Sequence, residues 1–142
     1  MALLKISDLS VGDWVRYNGK EYTIDSIYMA AEGYPHEVAL TYQGICCGCA
    51  YVDYLSPIPI TAEILEKNGW STDVMYAILR IDEQRHLEYY FHEHRLRKYF
   101  CGVDEWQNHA KVNDITFAVH CYSVHQLQHA LRLAGVDKEI NL

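Results

Sequence analysis

The sequence lacks any run of 18 consecutive apolar residues, and its first residues, MALLKISDLSVGDW, contain no basic n-region. The first absence argues against a membrane-spanning helix, and the second argues against a secretory signal. There are only five cysteines, an odd number at uneven spacings, which is not typical of a disulfide framework. We therefore expect a cytoplasmic protein with reduced thiols and no membrane partner.

Positive charge is also scarce. The chain has 12 Lys and Arg against 19 Asp and Glu, a formal net charge of −7, and both halves of the sequence are acidic. Neither half provides the broad positive field that supplies most nucleic-acid affinity. A nucleic-acid partner would need a local basic patch.

Motifs of common enzyme classes are missing. There is no Gly-x-Gly-x-x-Gly, no phosphate-binding Gly-x-x-x-x-Gly-Lys-Ser/Thr and no Gly-x-Ser-x-Gly. The loop at residues 102–109 gathers Asp104, Glu105 and His109 near Trp106, a set that could form an acid/base cluster. Because such loops are more often simply solvated, we assign no catalytic residue, no metal and no cofactor, and expect a protein that is not an enzyme.

What the sequence does contain is typical of a folded domain: half of its 142 residues are apolar and 12 are tyrosines. In the first third, alternating apolar residues lie on both sides of Asn18-Gly19, a dipeptide that favours a two-residue hairpin turn. Further strands are predicted at residues 36–42 and 49–55. Residues 12–27 resemble the opening of SH3-like small barrels, so we expect an SH3-like antiparallel β-barrel over residues 1–56.

A second part is expected over residues 57–142. Pro57 and Pro59 predict an extended connector, followed by a short helix with Thr61 at its N-cap and Gly69 just beyond its C-terminus. Strands are then predicted at residues 74–81, 86–92, 96–101 and 114–120. The last helix follows Ser123 and ends before Gly135. The expected fold class is therefore α+β, with a barrel followed by a small antiparallel sheet packed with two helices.

The last helix presents two stripes at helical spacing. One is aliphatic and is expected to pack on the sheet: Val124, Leu127, Leu131 and Ala134. The other is polar and is expected to face away as a candidate binding surface: His125, Gln128, His129 and Arg132. His125 and His129 could share a Zn²⁺, with His120 or Cys121 nearby, but a structural zinc site normally has four ligands. A solvated or recognition face is the favoured interpretation, and metal binding is an alternative.

A second candidate lies at residues 85–100, where basic and aromatic side chains alternate. Such a strand could be a platform for single-stranded nucleic acid, and the residues that would carry it are Tyr90, Arg95, Arg97 and Lys98. Because strands alternate faces, an ordinary amphipathic strand is favoured, with Leu87, Tyr89 and Phe91 in the core.

Cysteines cluster at Cys46, Cys47 and Cys49, and Cys46 and Cys49 have the Cys-x-x-Cys spacing. A redox site of this kind is expected at the start of a helix, whereas these residues are predicted in a loop between strands. We interpret them as free cysteines that are buried or half-buried and behave as small hydrophobic residues.

Two stretches, PIPITAEILEKNGW at residues 57–70 and VHQLQHALRLAGVDKEINL at residues 124–142, resemble segments of a family of small proteins encoded in prophages and mobile elements of Bacteroides-type gut bacteria. The resemblance implies a bacterial or phage origin and supplies no activity. In that family the residues at His125, Gln126, Gln128 and His129 recur together, which implies that their face matters.

The sequence thus predicts a non-enzymatic binding or accessory protein whose partner is another protein. Contact would be made by the barrel surface, where Tyr34, Tyr42 and Tyr51 are candidate anchors, or by the face of Gln128 and His129. Nucleic-acid binding through residues 85–100 and metal binding through the helix histidines are the alternatives.

Overall fold

A computed structural model describes residues 4–102 and 112–142, with side chains from 4–100 and 117–142. It is a mostly-β α+β structure with two antiparallel sheets and two α-helices. The chain forms two compact units, residues 1–59 with 123–125, and residues 60–122 with 126–142.

The first unit is a meander of four strands, which follow a 3-10 helix at Ile6–Asp8. The strands are β1 (Trp14–Tyr17), β2 (Lys20–Tyr28), β3 (Glu37–Tyr42) and β4 (Ile45–Tyr51). The predicted hairpin is confirmed: Asn18 and Gly19 join β1 to β2 with φ of 51° and 76°, the positive values that a type I′ turn requires.

The predicted position of β4 is wrong by four residues. The β3–β4 turn consists of Gln43 and Gly44, with φ of 50° and 78°, so a second two-residue turn of the same kind closes this hairpin. The three cysteines that follow therefore lie on a strand and not in a loop.

A 3-10 helix at Val52–Tyr54 follows β4 and returns the chain to β1. Arg16 and Ser56 then exchange both backbone hydrogen bonds, at 2.9 Å each. In the described part of the chain no closed barrel is detected, so the observed element is an open four-stranded sheet whose β1 edge is partly covered.

Apolar residues at alternate strand positions form the core of this unit, because successive side chains of a strand point to opposite faces. Tyr17, Tyr22 and Ile27 pack against its edge. The buried members include Val15, Ile24, Val38, Leu40, Ala50, Val52 and Leu55.

Helix α1 (Ala62–Lys67) begins and ends as predicted. Thr61 Oγ1 accepts a hydrogen bond from Ile64 N at 3.2 Å, which caps the first turn. At the other end Gly69 adopts φ of 87°, and Trp70 N donates to Leu65 O at 3.0 Å. This is the Schellman ending that the Asn-Gly-Trp sequence indicates.

The second sheet has five strands in sequence order. They are β5 (Ser71–Thr72), β6 (Tyr76–Arg80), β7 (Arg85–Tyr90), β8 (Arg95–Gly102) and β9 (Val112–His120). Leu87 and Tyr89 are buried as predicted, whereas Phe91 lies in the turn after β7. The four predicted strands are confirmed as β6 to β9, and the short β5 was not predicted.

Helix α2 (Val124–Leu133) carries the predicted aliphatic stripe, whose four members are at most 6% exposed. The expectation that the polar stripe faces away is wrong for its first two members, since His125 and Gln128 are each 2% exposed. His129 is half-buried and Arg132 is exposed.

The C-terminal segment explains the burial of Gln128, because residues 136–142 fold back onto the second unit. Val136 and Ile140 are buried, and Gln128 Nε2 donates to Glu139 Oε2 at 2.5 Å. Asn68 holds the end of this segment: its Nδ2 donates to Asn141 O, and its Oδ1 accepts from Asn141 N, both at 2.8 Å. The C-terminal segment therefore covers part of the polar side of helix α2.

Neither of the two α-helices in the described residues combines the length and apolar character needed to cross a bilayer.

Candidate functional site

Exposed tyrosines surround a shallow groove on the first unit. Its lining consists of Gly33, Tyr34, Pro35, Tyr51, Asp53 and Tyr54, and its volume is about 620 Å³. Tyr34 and Tyr54 are each 70% exposed and Tyr51 is 43% exposed. Large apolar rings that are not needed by the core are the side chains that most often anchor a partner.

The 3-10 helix at residues 52–54 explains why Tyr54 is exposed. Val52 and Leu55 are buried on the core side, 4% and 3% exposed, and Leu55 N donates to Val52 O at 3.1 Å. The two residues between them must then point outward. Asp53 and Tyr54 are thus held at the rim of the groove by buried neighbours on both sides.

His36 holds the opposite wall, which is the loop between β2 and β3. Its Nδ1 accepts a hydrogen bond from Ala30 N at 2.9 Å, and its carbonyl accepts one from Val52 N at 2.9 Å. The same residue therefore closes the loop that carries Tyr34 and ties that loop to the 3-10 helix.

Tyr51 lies between these two walls. Its ring centroid is 6.3 Å from that of Tyr54, with the ring planes at 47°. The two rings form an open V, with Asp53 between them in sequence. This arrangement leaves ring faces free for apolar contact and hydroxyls free for hydrogen bonds.

The three predicted barrel anchors are all exposed, but they do not form one surface. Tyr34 and Tyr51 share the groove, whereas Tyr42 is 50% exposed and lines another cavity of about 580 Å³ with Tyr22 and Cys47. Tyr54 was missed by the sequence analysis. The signal that could have found it is the apolar-polar-polar-apolar pattern at residues 52–55, which is typical of a single turn with two outward residues.

The predicted nucleic-acid residues are divided between the two faces of the second sheet. Arg97 lies over the Tyr90 ring, 5.1 Å from its centroid. Lys98 is on the other face, where its Nζ donates to Ala134 O at the end of α2 at 2.6 Å. Because successive side chains of a strand point to opposite faces, Arg97 and Lys98 lie on different faces of the sheet. Lys98 therefore bonds to the end of α2 and adds no positive charge to the face of Arg97.

On the face of Arg97 the aromatic rings are occupied by one another. The His86 ring stacks on Tyr99 with centroids 5.1 Å apart and planes at 10°, and Tyr99 is 8% exposed. Tyr90 OH donates to Glu88 Oε2 at 2.5 Å. Few ring faces are left open for a stacked base.

The charges of this face are also partly neutralised. Arg95 Nη1 and Arg97 Nη2 each lie 3.8 Å from Glu93 Oε2. Burial, followed by the hydrogen bond to Glu88, raises the pKa of Tyr90, and a hydrogen bond to Tyr99 raises the pKa of Arg97. These contacts tie the two arginines of this face to an acidic neighbour and to tyrosine side chains.

The residues predicted on the last helix are not brought together as a surface. His125 Nδ1 lies 2.9 Å from Ser123 Oγ in a buried pair. Arg132 Nη2 lies 3.4 Å from Glu139, which also binds the buried Gln128. These contacts are internal, so the helix face is used mainly to hold the chain's own C-terminal segment.

Among the described residues, no group of three or more His, Cys, Asp and Glu side chains is arranged to hold a metal ion. The acid/base candidates Asp104, Glu105 and His109, with Trp106, lie outside the described residues. Cys46, Cys47 and Cys49 are free thiols but are exposed, so the expectation that they are buried or half-buried is wrong, whereas Cys121 is a buried free thiol.

Comparison with protein-family models, with curated proteins and with solved structures finds no match for this chain.

Proposed function

We propose that the protein is a binding module that contacts another protein through the tyrosine-lined groove of its first unit. The observation that carries the proposal is the exposure of Tyr34, Tyr51 and Tyr54 around one groove, each held there by hydrogen-bonded or buried neighbours. A pre-organised wall of tyrosines provides contact area at low entropic cost.

Charge favours a basic partner segment. Asp53 lies in the groove, and residues 1–60 contain seven acidic against three basic side chains. Complementary charge speeds association and selects among partners, although it adds less to affinity than buried rings. We expect the bound segment to combine apolar residues with Lys or Arg.

We also propose that the first unit is an incomplete SH3-like barrel. The supporting features are the four-stranded meander, the 3-10 helix after β4, and the return of Ser56 to pair with Arg16 on the free side of β1. A crystal structure with a fully paired fifth strand would support this assignment, and one with an uncovered β1 edge would contradict it.

A displayed library of random peptides tests the binding proposal. The full chain is used for selection, and enriched peptides are then measured by fluorescence polarisation against Tyr34→Ala, Tyr54→Ala and the matched control Val74→Ala. Val74 is 91% exposed and belongs to the second unit, so its loss removes exposed apolar surface without changing any residue that lines the groove.

We expect each tyrosine variant to weaken binding by about 30-fold, since truncation of a well-packed anchor costs about 2 kcal/mol. Val74→Ala should bind as the parent does. Selection that yields no groove-dependent peptide, or peptides whose affinity depends equally on Val74, would contradict the proposal.

A further inference from the structure

Cys46 and Cys49 lie on the same face of the first sheet, although residues three apart on a regular strand point to opposite faces. Cys46 pairs with Thr41 on β3. The register then shifts, so that Cys49 pairs with Ala39. Thr41 and Ala39 are two residues apart and therefore share a face, and directly opposite residues of an antiparallel pair share a face as well. The extra residue of the bulge thus brings both cysteine side chains to one side of the sheet.

This shared face is the exposed one. Leu40 lies between Ala39 and Thr41 on β3 and belongs to the buried core, so its two neighbours point away from the core. The thiols of Cys46 and Cys49 are both exposed. A ligand can therefore reach them from solvent without any rearrangement of the sheet.

Cys47 lies between the two in sequence but faces another surface. It lines the cavity of about 580 Å³ together with Tyr22 and Tyr42, and its Sγ donates to Ile45 O at 3.3 Å. The shared face therefore offers two thiols and not three, and Cys47 provides a matched control for experiments on the other two.

The spacing of Cys46 and Cys49 suits a bridging metal ion better than a disulfide. Their partners are two residues apart on β3, so we expect Cβ atoms about 6.6 Å apart. A disulfide requires Cβ atoms about 3.5 to 4.5 Å apart. Two metal–sulfur bonds of about 2.3 Å in a line place the sulfur atoms about 4.6 Å apart. Side chains that lean towards each other by about 1 Å each reach that separation.

The surroundings favour a soft cation that needs few ligands. The residues opposite the two cysteines contribute a methyl group, from Ala39, and the hydroxyl of Thr41, which lies 2.7 Å from Thr23 Oγ1. In the part of the chain that the structure describes, no third His, Cys, Asp or Glu completes a metal-binding group. Structural zinc normally takes four ligands, whereas soft thiolates select Cu(I), and a monovalent d¹⁰ cation is satisfied by two thiolates in a line.

We propose that Cys46 and Cys49 form a two-coordinate site for a soft monovalent cation, Cu(I) or its chemical analogue Ag(I). Each thiol gives up its proton to solvent, and the two thiolates bind the cation. No electron is transferred, and the bound group carries one net negative charge. The tyrosine groove is lined by other residues, so this proposal does not depend on the proposed protein-binding function.

Anaerobic titration of the reduced full chain with Cu(I) tests the site, with bicinchoninate as a competing chelator whose coloured complex reports the metal that the protein leaves. We expect the parent and Cys47→Ser to bind one Cu(I) per chain with equal affinity. Cys46→Ser and Cys49→Ser should each bind more than about 100-fold more weakly, since loss of a residue that only orients a ligand already costs about 10- to 100-fold. All three replaced residues are exposed, and far-UV circular dichroism checks that each variant is folded.

A parent that takes no Cu(I) from the chelator would overturn the proposal. So would a Cys46→Ser or Cys49→Ser variant that binds as the parent does, or a Cys47→Ser variant that loses as much affinity as they do.

The coordination number is tested on the loaded protein. We expect X-ray absorption at the copper edge to show two sulfur ligands, and sedimentation velocity to show a monomer. Three sulfur ligands, nitrogen ligands, or a dimer that forms only with copper would each refute a site made by these two thiols of one chain.

Discussion

The clamp made by Asn68 allows a quantitative test of how the C-terminal segment is held. Asn68 is 8% exposed. Its Nδ2 donates to Ile64 O and to Asn141 O, and its Oδ1 accepts from Asn141 N, all at 2.8 Å. Asn68→Ala removes these three hydrogen bonds while leaving helix α1 otherwise intact.

The expected loss follows from these contacts. A hydrogen bond contributes about 0.5 to 1.5 kcal/mol net, so three contribute roughly 1.5 to 4.5 kcal/mol. Because Asn141 is exposed, water can replace the partner of its two backbone groups, and we expect about 2 kcal/mol. For a chain of this length that loss lowers the Tm by about 7 °C.

Urea unfolding followed by circular dichroism measures the change, and Asn141→Ala is the matched control. The clamp uses only the backbone of Asn141, so this control should lose less than about 0.5 kcal/mol. Asn68→Asp should be worse than Asn68→Ala, because it turns a carboxylate towards two carbonyl oxygens. The reasoning is wrong if Asn68→Ala is as stable as the parent, or if Asn141→Ala costs as much.

Two further predictions concern Lys98 and Cys121. Lys98→Met keeps the aliphatic stem but removes the hydrogen bond to the C-terminus of α2, so unfolding by urea should show a loss of about 1.5 to 3 kcal/mol. Arg95→Ala, the control on the same strand, should lose less than about 0.5 kcal/mol. Equal stabilities of the two variants would contradict the role of Lys98 at the helix terminus. Burial raises the pKa of the Cys121 thiol from 9.0 to about 12. In native protein at pH 8, iodoacetamide should therefore label Cys49 and leave Cys121 unmodified until urea unfolds the chain. Peptide mass spectrometry measures the labelling of each cysteine. The folded state holds the thiol proton of Cys121 more tightly than the unfolded state does. The resulting stabilisation is therefore complete below pH 9 and is lost as pH rises towards 12, where the free energy of unfolding should fall by about 1.4 kcal/mol per pH unit. Cys121→Ala should reduce this slope. Rapid native labelling of Cys121 would contradict its burial.

Local signals in the sequence predicted local structure well. The Asn18-Gly19 turn, the Thr61 cap and the Gly69 ending appear where the sequence places them, because each depends on residues no more than five apart. The Gln43-Gly44 turn was not predicted, because Gln-Gly is a weaker turn signal than Asn-Gly, and that omission misplaced β4 and its cysteines.

The candidate site was less predictable. Tyr34, Tyr51 and Tyr54 meet at one groove, although Tyr34 lies 17 residues before Tyr51 in the sequence. Their meeting depends on the β3–β4 register and on the hydrogen bonds of His36. No local pattern contains that information, since strand pairing brings together residues of arbitrary sequence separation.

The sequence by itself determined the Asn18-Gly19 turn, the helix boundaries and the aliphatic side of α2, because periodicity and capping act within one or two turns of chain. Only the tertiary structure decided that Gln128 is buried and that Lys98 serves a helix terminus. Those outcomes depend on which distant segment packs against a side chain, as residues 136–142 do against α2. A polar residue on a helix looks solvated until the chain that covers it has been placed.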